Sequence, residues 1–64
     1  MHTAQLAELS RRTADLQEFE NVSDQELLDM YNLIAILLRK GVSGQHPIIL
    51  NACKQLLAQQ DMNE

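Results

Sequence analysis

Between Leu27 and Leu38 ten of twelve residues are apolar, with only Asp29 and Asn32 interrupting them. A run this dense can cross a membrane, form a strand, or form a helix buried on more than one side. A membrane span needs about 18 apolar residues in succession, and the longest unbroken run here, Leu33 to Leu38, is six. No stretch keeps the period-2 alternation of a strand. A helix remains. At about 100° per residue, Leu27, Met30, Tyr31, Ile34, Leu37 and Leu38 share one broad face. Leu33 and Ile36 fall away from its centre, beside Asp29 and Lys40. A helix that is apolar on two sides requires cover on two sides.

The flanking residues predict where this helix starts and stops. Ser23-Asp24-Gln25-Glu26 has capping-box spacing, in which the Ser23 hydroxyl accepts from the Glu26 N–H and the Glu26 side chain reaches back. Val22 and Leu27 stand where a hydrophobic staple puts its two partners. Arg39 and Lys40 suit the negative end of the helix dipole. Gly41 follows at the position that favours a left-handed backbone, with Val42 placed to fold back on Leu37. The predicted helix is 24–40.

Two further helices are predicted, at 3–19 and 47–60, as one domain over residues 1–64. In the first, Leu6, Leu9, Thr13 and Leu16 form a thin heptad seam. Glu8, Arg11, Arg12 and Asp15 occupy the other side, with Glu8–Arg12 and Arg11–Asp15 at pairing distance. The third starts at Pro47, whose missing N–H costs nothing at the first helical position. It carries Ile48, Ile49, Leu50, Ala52, Cys53, Leu56 and Leu57, again more than one stripe. Ser43-Gly44-Gln45-His46 makes the joint. The turn at Asn21 and a polar tail from Asp61 complete the reading. The expected fold is all-α: an antiparallel hairpin of the second and third helices plus an N-terminal helix, in a dimeric bundle. Leu27, Tyr31, Ile34, Leu37, Leu38, Ile49, Cys53 and Leu56 are its expected core. Ser23, Glu26, Gly41 and Pro47 are its caps.

At 64 residues the chain has little core to spare, and chains this small lean on disulfides, metals or partners. One cysteine excludes an internal disulfide and fits a reducing compartment. His46 and Cys53 are seven residues apart, about 10 Å along a helix, too far for one zinc with ligands at about 2.0–2.3 Å. His2 does not complete a set, so no metal or other cofactor is expected. Ser10, Ser23, Ser43 and Cys53 are the available nucleophiles; Ser23 is accounted for as a cap, and Cys53 shares a helical face with Ile49 and Leu56, which argues for an inert buried thiol. No glycine-rich phosphate loop is present, and an enzyme is not expected. Five basic residues against nine acidic give a net charge of −4. The third helix has one base, Lys54, whereas DNA contact calls for a cluster. The first six residues lack the basic-then-apolar pattern of a secretory leader. A cytoplasmic protein with no membrane contact is expected.

Two stretches resemble known families. Ile34-Ala35-Ile36-Leu37-Leu38-Arg39-Lys40-Gly41, followed by Pro47-Ile48-Ile49-Leu50-Asn51-Ala52-Cys53-Lys54-Gln55-Leu56, resembles the helix–glycine–helix hairpin of the AriR-like regulators. These are small enterobacterial biofilm and acid-resistance proteins, some of them two-component connectors. Ser23-Asp24-Gln25-Glu26-Leu27-Leu28 through Tyr31 is similar to the opening of the Sda sporulation kinase inhibitors and to one helix of the Hha-type modulators. These resemblances imply a helical, dimeric, bacterial or phage protein that acts by docking on a larger one.

The excess apolar surface and the resemblances lead to one expectation. The chain is a small non-enzymatic regulator, a homodimer that binds a transcription factor or sensor kinase and inhibits or modulates it. Leu33 and Ile36, then Leu6, Leu9 and Leu16, are the expected partner or dimer contacts. Two alternatives stand beside it: a small subunit or chaperone of a larger assembly such as a secretion apparatus, and a DNA-binding helical dimer.

Overall fold

The computed structural model describes residues 2–18 and 22–61, with side chains as far as Gln59. It is an all-α fold of three helices, α1 (Thr3–Glu18), α2 (Asp24–Arg39) and α3 (Pro47–Asp61), with no strand among the described residues. The expected end of the first helix at Phe19, the turn at Asn21 and the tail beyond Asp61 lie outside the described residues.

Local chemistry sets the joints. Ser23 is extended (φ −69°, ψ 154°), and its Oγ accepts from the Glu26 N–H at 3.2 Å. The other half of the expected capping box is replaced: the Glu26 carboxylate accepts from Arg12 at 3.0 Å. Val22 and Leu27 both pack against the core, as a staple requires. At the far end the Val42 N–H donates to the Leu37 carbonyl and the Gly41 N–H to that of Leu38, both at 3.1 Å. This is the Schellman pattern, and Gly41 takes the positive φ (+96°) that it demands. Space around Gly41 is open, so any larger residue there meets backbone strain and no clash. At the second joint Ser43 Oγ accepts from the Gln45 N–H at 3.0 Å. His46 Nδ1 accepts from the Ile48 N–H at 3.1 Å. The imidazole thus caps α3, and Pro47 opens it.

α1 is the hub. It packs against both other helices, most extensively against α3, while α2 and α3 touch each other least. Arg12 meets Glu26 near one end of α2, and Lys40 Nζ donates to Gln5 Oε1 at 3.3 Å at the other. α1 and α2 therefore run antiparallel. The core joins Leu9, Thr13 and Leu16 of α1, Met30, Leu33, Ile34 and Leu37 of α2, and Ile49, Ala52 and Leu56 of α3. Thr13, the one polar member, donates its hydroxyl to the Leu9 carbonyl at 2.7 Å, which satisfies it.

This corrects several sequence expectations. Leu9, Leu16 and Leu33 are buried in the core of the single chain and are not a free contact surface. Leu6 is half-buried against the same core. Tyr31, Leu38 and Cys53, expected inside, are exposed. On α2 the buried face is turned by about 50° from the expected one at 100° per residue. The reason lies in α1. Arg12 meets Glu26 and Asp29, which draws α1 onto the flank bearing Leu33 and leaves Tyr31 and Leu38 outside. On α3 the inward centre is Ile49–Ala52–Leu56, and Cys53 lies one 100° step beyond Ala52.

Two substitutions check this scheme. Ser23→Ala should cost about 0.5–2 kcal/mol, the worth of an N-cap. Leu9→Ala, which empties the middle of the hub, should cost about 2–5 kcal/mol. The measure is the urea midpoint, with Leu9→Ala clearly the more damaging.

Candidate functional site

Two surface regions stand out. The first is a polar junction between α1 and α2. Arg12 Nη1 lies 3.0 Å from Glu26 Oε1 and 4.0 Å from Asp29 Oδ2, and its Nε lies 3.7 Å from Glu8 Oε2. Glu8 is also 3.7 Å from Arg11, which turns back to it instead of forward to Asp15. An open groove of about 330 Å³ runs here, lined by Glu8, Arg12, Asp29, Asn32, Leu33 and Ile36. Its one cation is engaged by carboxylates on both helices, so its chemistry is that of a clasp. Ile36, an expected docking residue, forms part of this wall. Its side chain is 39% exposed, and its neighbours are charged.

The second region is apolar. Leu28, Tyr31 and Leu38 on α2 are 51%, 42% and 46% exposed, and Leu50 and Leu57 on α3 are 47% and 62% exposed. Leu28, Tyr31, Ala35 and Leu38 follow the three-four-three spacing of a heptad seam, and Leu50, Cys53 and Leu57 follow three-four. Each stripe lies beside the buried face of its helix, on the edge farther from α1. On α1, Gln5, Glu8 and Arg12 mark the edge of the buried band that meets α2. Leu6 and Thr13 lie at the other edge, toward α3. With α2 antiparallel to α1, and α3 returning through a seven-residue joint, right-handed helices put both stripes on one side of the bundle. That side is opposite α1. It closes on the two helices that pack least against each other.

The expected contact residues are therefore divided. Leu6, Leu9, Leu16 and Leu33 belong to the interior, Ile36 to the polar groove, and the apolar face is made by Leu28, Tyr31, Leu38, Leu50 and Leu57. The signal for this face lies in the spacing of 28, 31, 35 and 38, of which the broad face expected from sequence holds only Tyr31 and Leu38. Other chemistry is sparse. No group of three His, Cys, Asp or Glu side chains that could hold a metal ion occurs among the described residues. Ser23 is engaged as the α2 cap, Ser43 accepts from the Gln45 N–H within the joint, and His46 Nδ1 is engaged by Ile48. No helix among the described residues is long and apolar enough to cross a membrane. Comparison with protein-family models, curated proteins and solved structures finds no match for the chain.

The clasp makes its own prediction. Arg12→Ala should destabilise by about 1–2 kcal/mol, between the worth of a surface ion pair and that of a charge-assisted hydrogen bond. A double-mutant cycle with Glu26→Gln should return a coupling of about 0.5–1 kcal/mol that shrinks in high salt. Additive effects would show that the two helices are not clasped there.

Proposed function

We propose that this chain is a small, non-enzymatic, cytoplasmic regulatory protein that binds other protein through the apolar outer face of α2 and α3. The observation that carries this reading is the pair of exposed heptad stripes. Contiguous apolar surface beyond a few hundred Å² rarely stays uncovered on a soluble domain. Two parallel ridges of leucine on neighbouring helices suit the docking of further helices, with the ridges as anchors and the groove as receptor. The wider expectation of a larger control protein as target rests on the same face. The groove beside Arg12 supports it less, since its charges are already engaged across α1 and α2.

A DNA-binding reading draws less support. Arg12 is spent inside the chain and Lys40 is engaged by Gln5, which leaves Arg11, Arg39 and Lys54 dispersed over three helices.

The test is capture by immobilised protein, read by mass spectrometry. Two folded variants are compared with the wild type: Leu57→Glu on the outer face and Ile36→Glu in the polar groove. Loss of bound protein with Leu57→Glu and retention with Ile36→Glu is the expected pattern. The reverse pattern would move the docking surface to the α1/α2 groove.

A further inference from the structure

Resting on the reading of the outer face as a docking surface, we infer that its occupant is a second copy of this chain, packed antiparallel about a two-fold axis. The axis crosses α2 at the height of Leu33 and α3 at the height of Cys53.

The placement of the stripes points to this occupant. Leu28, Tyr31, Ala35 and Leu38 are symmetric about position 33. Leu50, Cys53 and Leu57 are centred between 53 and 54. Six residues back from Arg39, the end of α2, is Leu33, and six residues on from Pro47, the start of α3, is Cys53. Counted along each helix, the two centres thus lie equally far from the joint, about 9 Å at 1.5 Å per residue. A single two-fold axis in the plane of the face serves both stripes. A foreign partner has no need of that coincidence, whereas an isologous contact requires it.

The rotation also matches size and charge. It sets Leu28 against Leu38 of the second copy, Leu50 against its Leu57, and Tyr31 against its Ala35, large against small. It brings Asp24, at the N-terminal end of the α2 stripe, to within about one turn of Arg39 of the second copy. Neither Asp24 nor Arg39 takes part in an ion pair within the described chain. Lys54 stays at the rim, outside the stripe. Cys53 comes to lie beside the axis and so beside its own copy. Since self-pairing and target binding use one face, each excludes the other.

The test uses the whole chain. Sedimentation or light scattering over a hundredfold concentration range should show a mass rising to twice the 7.3 kDa of the chain, and the thermal midpoint should rise with concentration. Leu28→Glu and Leu57→Glu, with helicity checked by circular dichroism, should each raise the dimer Kd at least about 30-fold, the scale of an interface hot spot. Asp24→Arg and Arg39→Asp should each weaken the dimer, and the double swap should restore it. A short bis-maleimide should join two chains through Cys53 in the wild type and not in Leu57→Glu. The charge-swap cycle decides if a leucine variant fails to fold.

A monomer at every concentration would overturn the second copy as occupant. If that monomer still loses protein capture on Leu57→Glu, the docking face stands with another occupant. If capture is also unchanged, both readings fall. A dimer untouched by Leu57→Glu and by the charge swaps would place self-association on another face. A dimer that obeys the charge swaps yet resists Cys53 cross-linking would overturn the placement of the axis on α3.

Discussion

Leu9, Thr13 and Leu16 lie between the other two helices, and the rest of the architecture follows from covering that thin seam. α1 is the least apolar of the three helices, yet both others pack on it more than on each other. A narrow seam is filled completely by two neighbours, so all of its apolar surface is used. α2 and α3 carry more apolar surface than α1 can cover. What remains is displaced to the side away from α1, where it forms a face of its own.

The rotational choice is made by charge as much as by apolar area. α2 is apolar nearly all the way round between Leu27 and Leu38, so burying any of several faces removes similar area from water. Arg12 breaks the tie. Its guanidinium lies among carboxylates of both helices, Glu8, Glu26 and Asp29, and only one rotation of α2 brings Glu26 and Asp29 to it. That rotation buries Met30 and Leu33 and leaves Leu28, Tyr31 and Leu38 outside. The same choice diverts Glu26 from its reciprocal capping bond, while Ser23 keeps its own half of the cap. A modest ion pair, worth little by itself at a surface, can select between packings that differ little in buried area.

The outer face is thus a product of the fold. Its two stripes have coiled-coil spacing, and in a coiled coil such positions belong to the interface. Cys53 changes meaning accordingly. A cysteine beside Ile49 and Leu56 in sequence periodicity reads as buried filler, whereas here it is exposed on the side of Leu50 and Leu57.

How much of this was legible depends on the range of the interaction concerned. The three helices, the Ser23 cap, the Schellman end at Gly41 and the His46–Pro47 start are decided within a few residues of chain, and the sequence alone determined them. The α1 seam was legible too, since Leu6, Leu9, Thr13 and Leu16 have one apolar side to offer. Its destination was not: a seam reads the same whether it meets its own chain or another. The choice among the faces of α2 belonged to the tertiary structure. Nothing local distinguishes Leu33 from Tyr31 as a core residue. Only the approach of α1, carrying Arg12 to Glu26 and Asp29 from another helix, decided which would be buried and which would be left exposed.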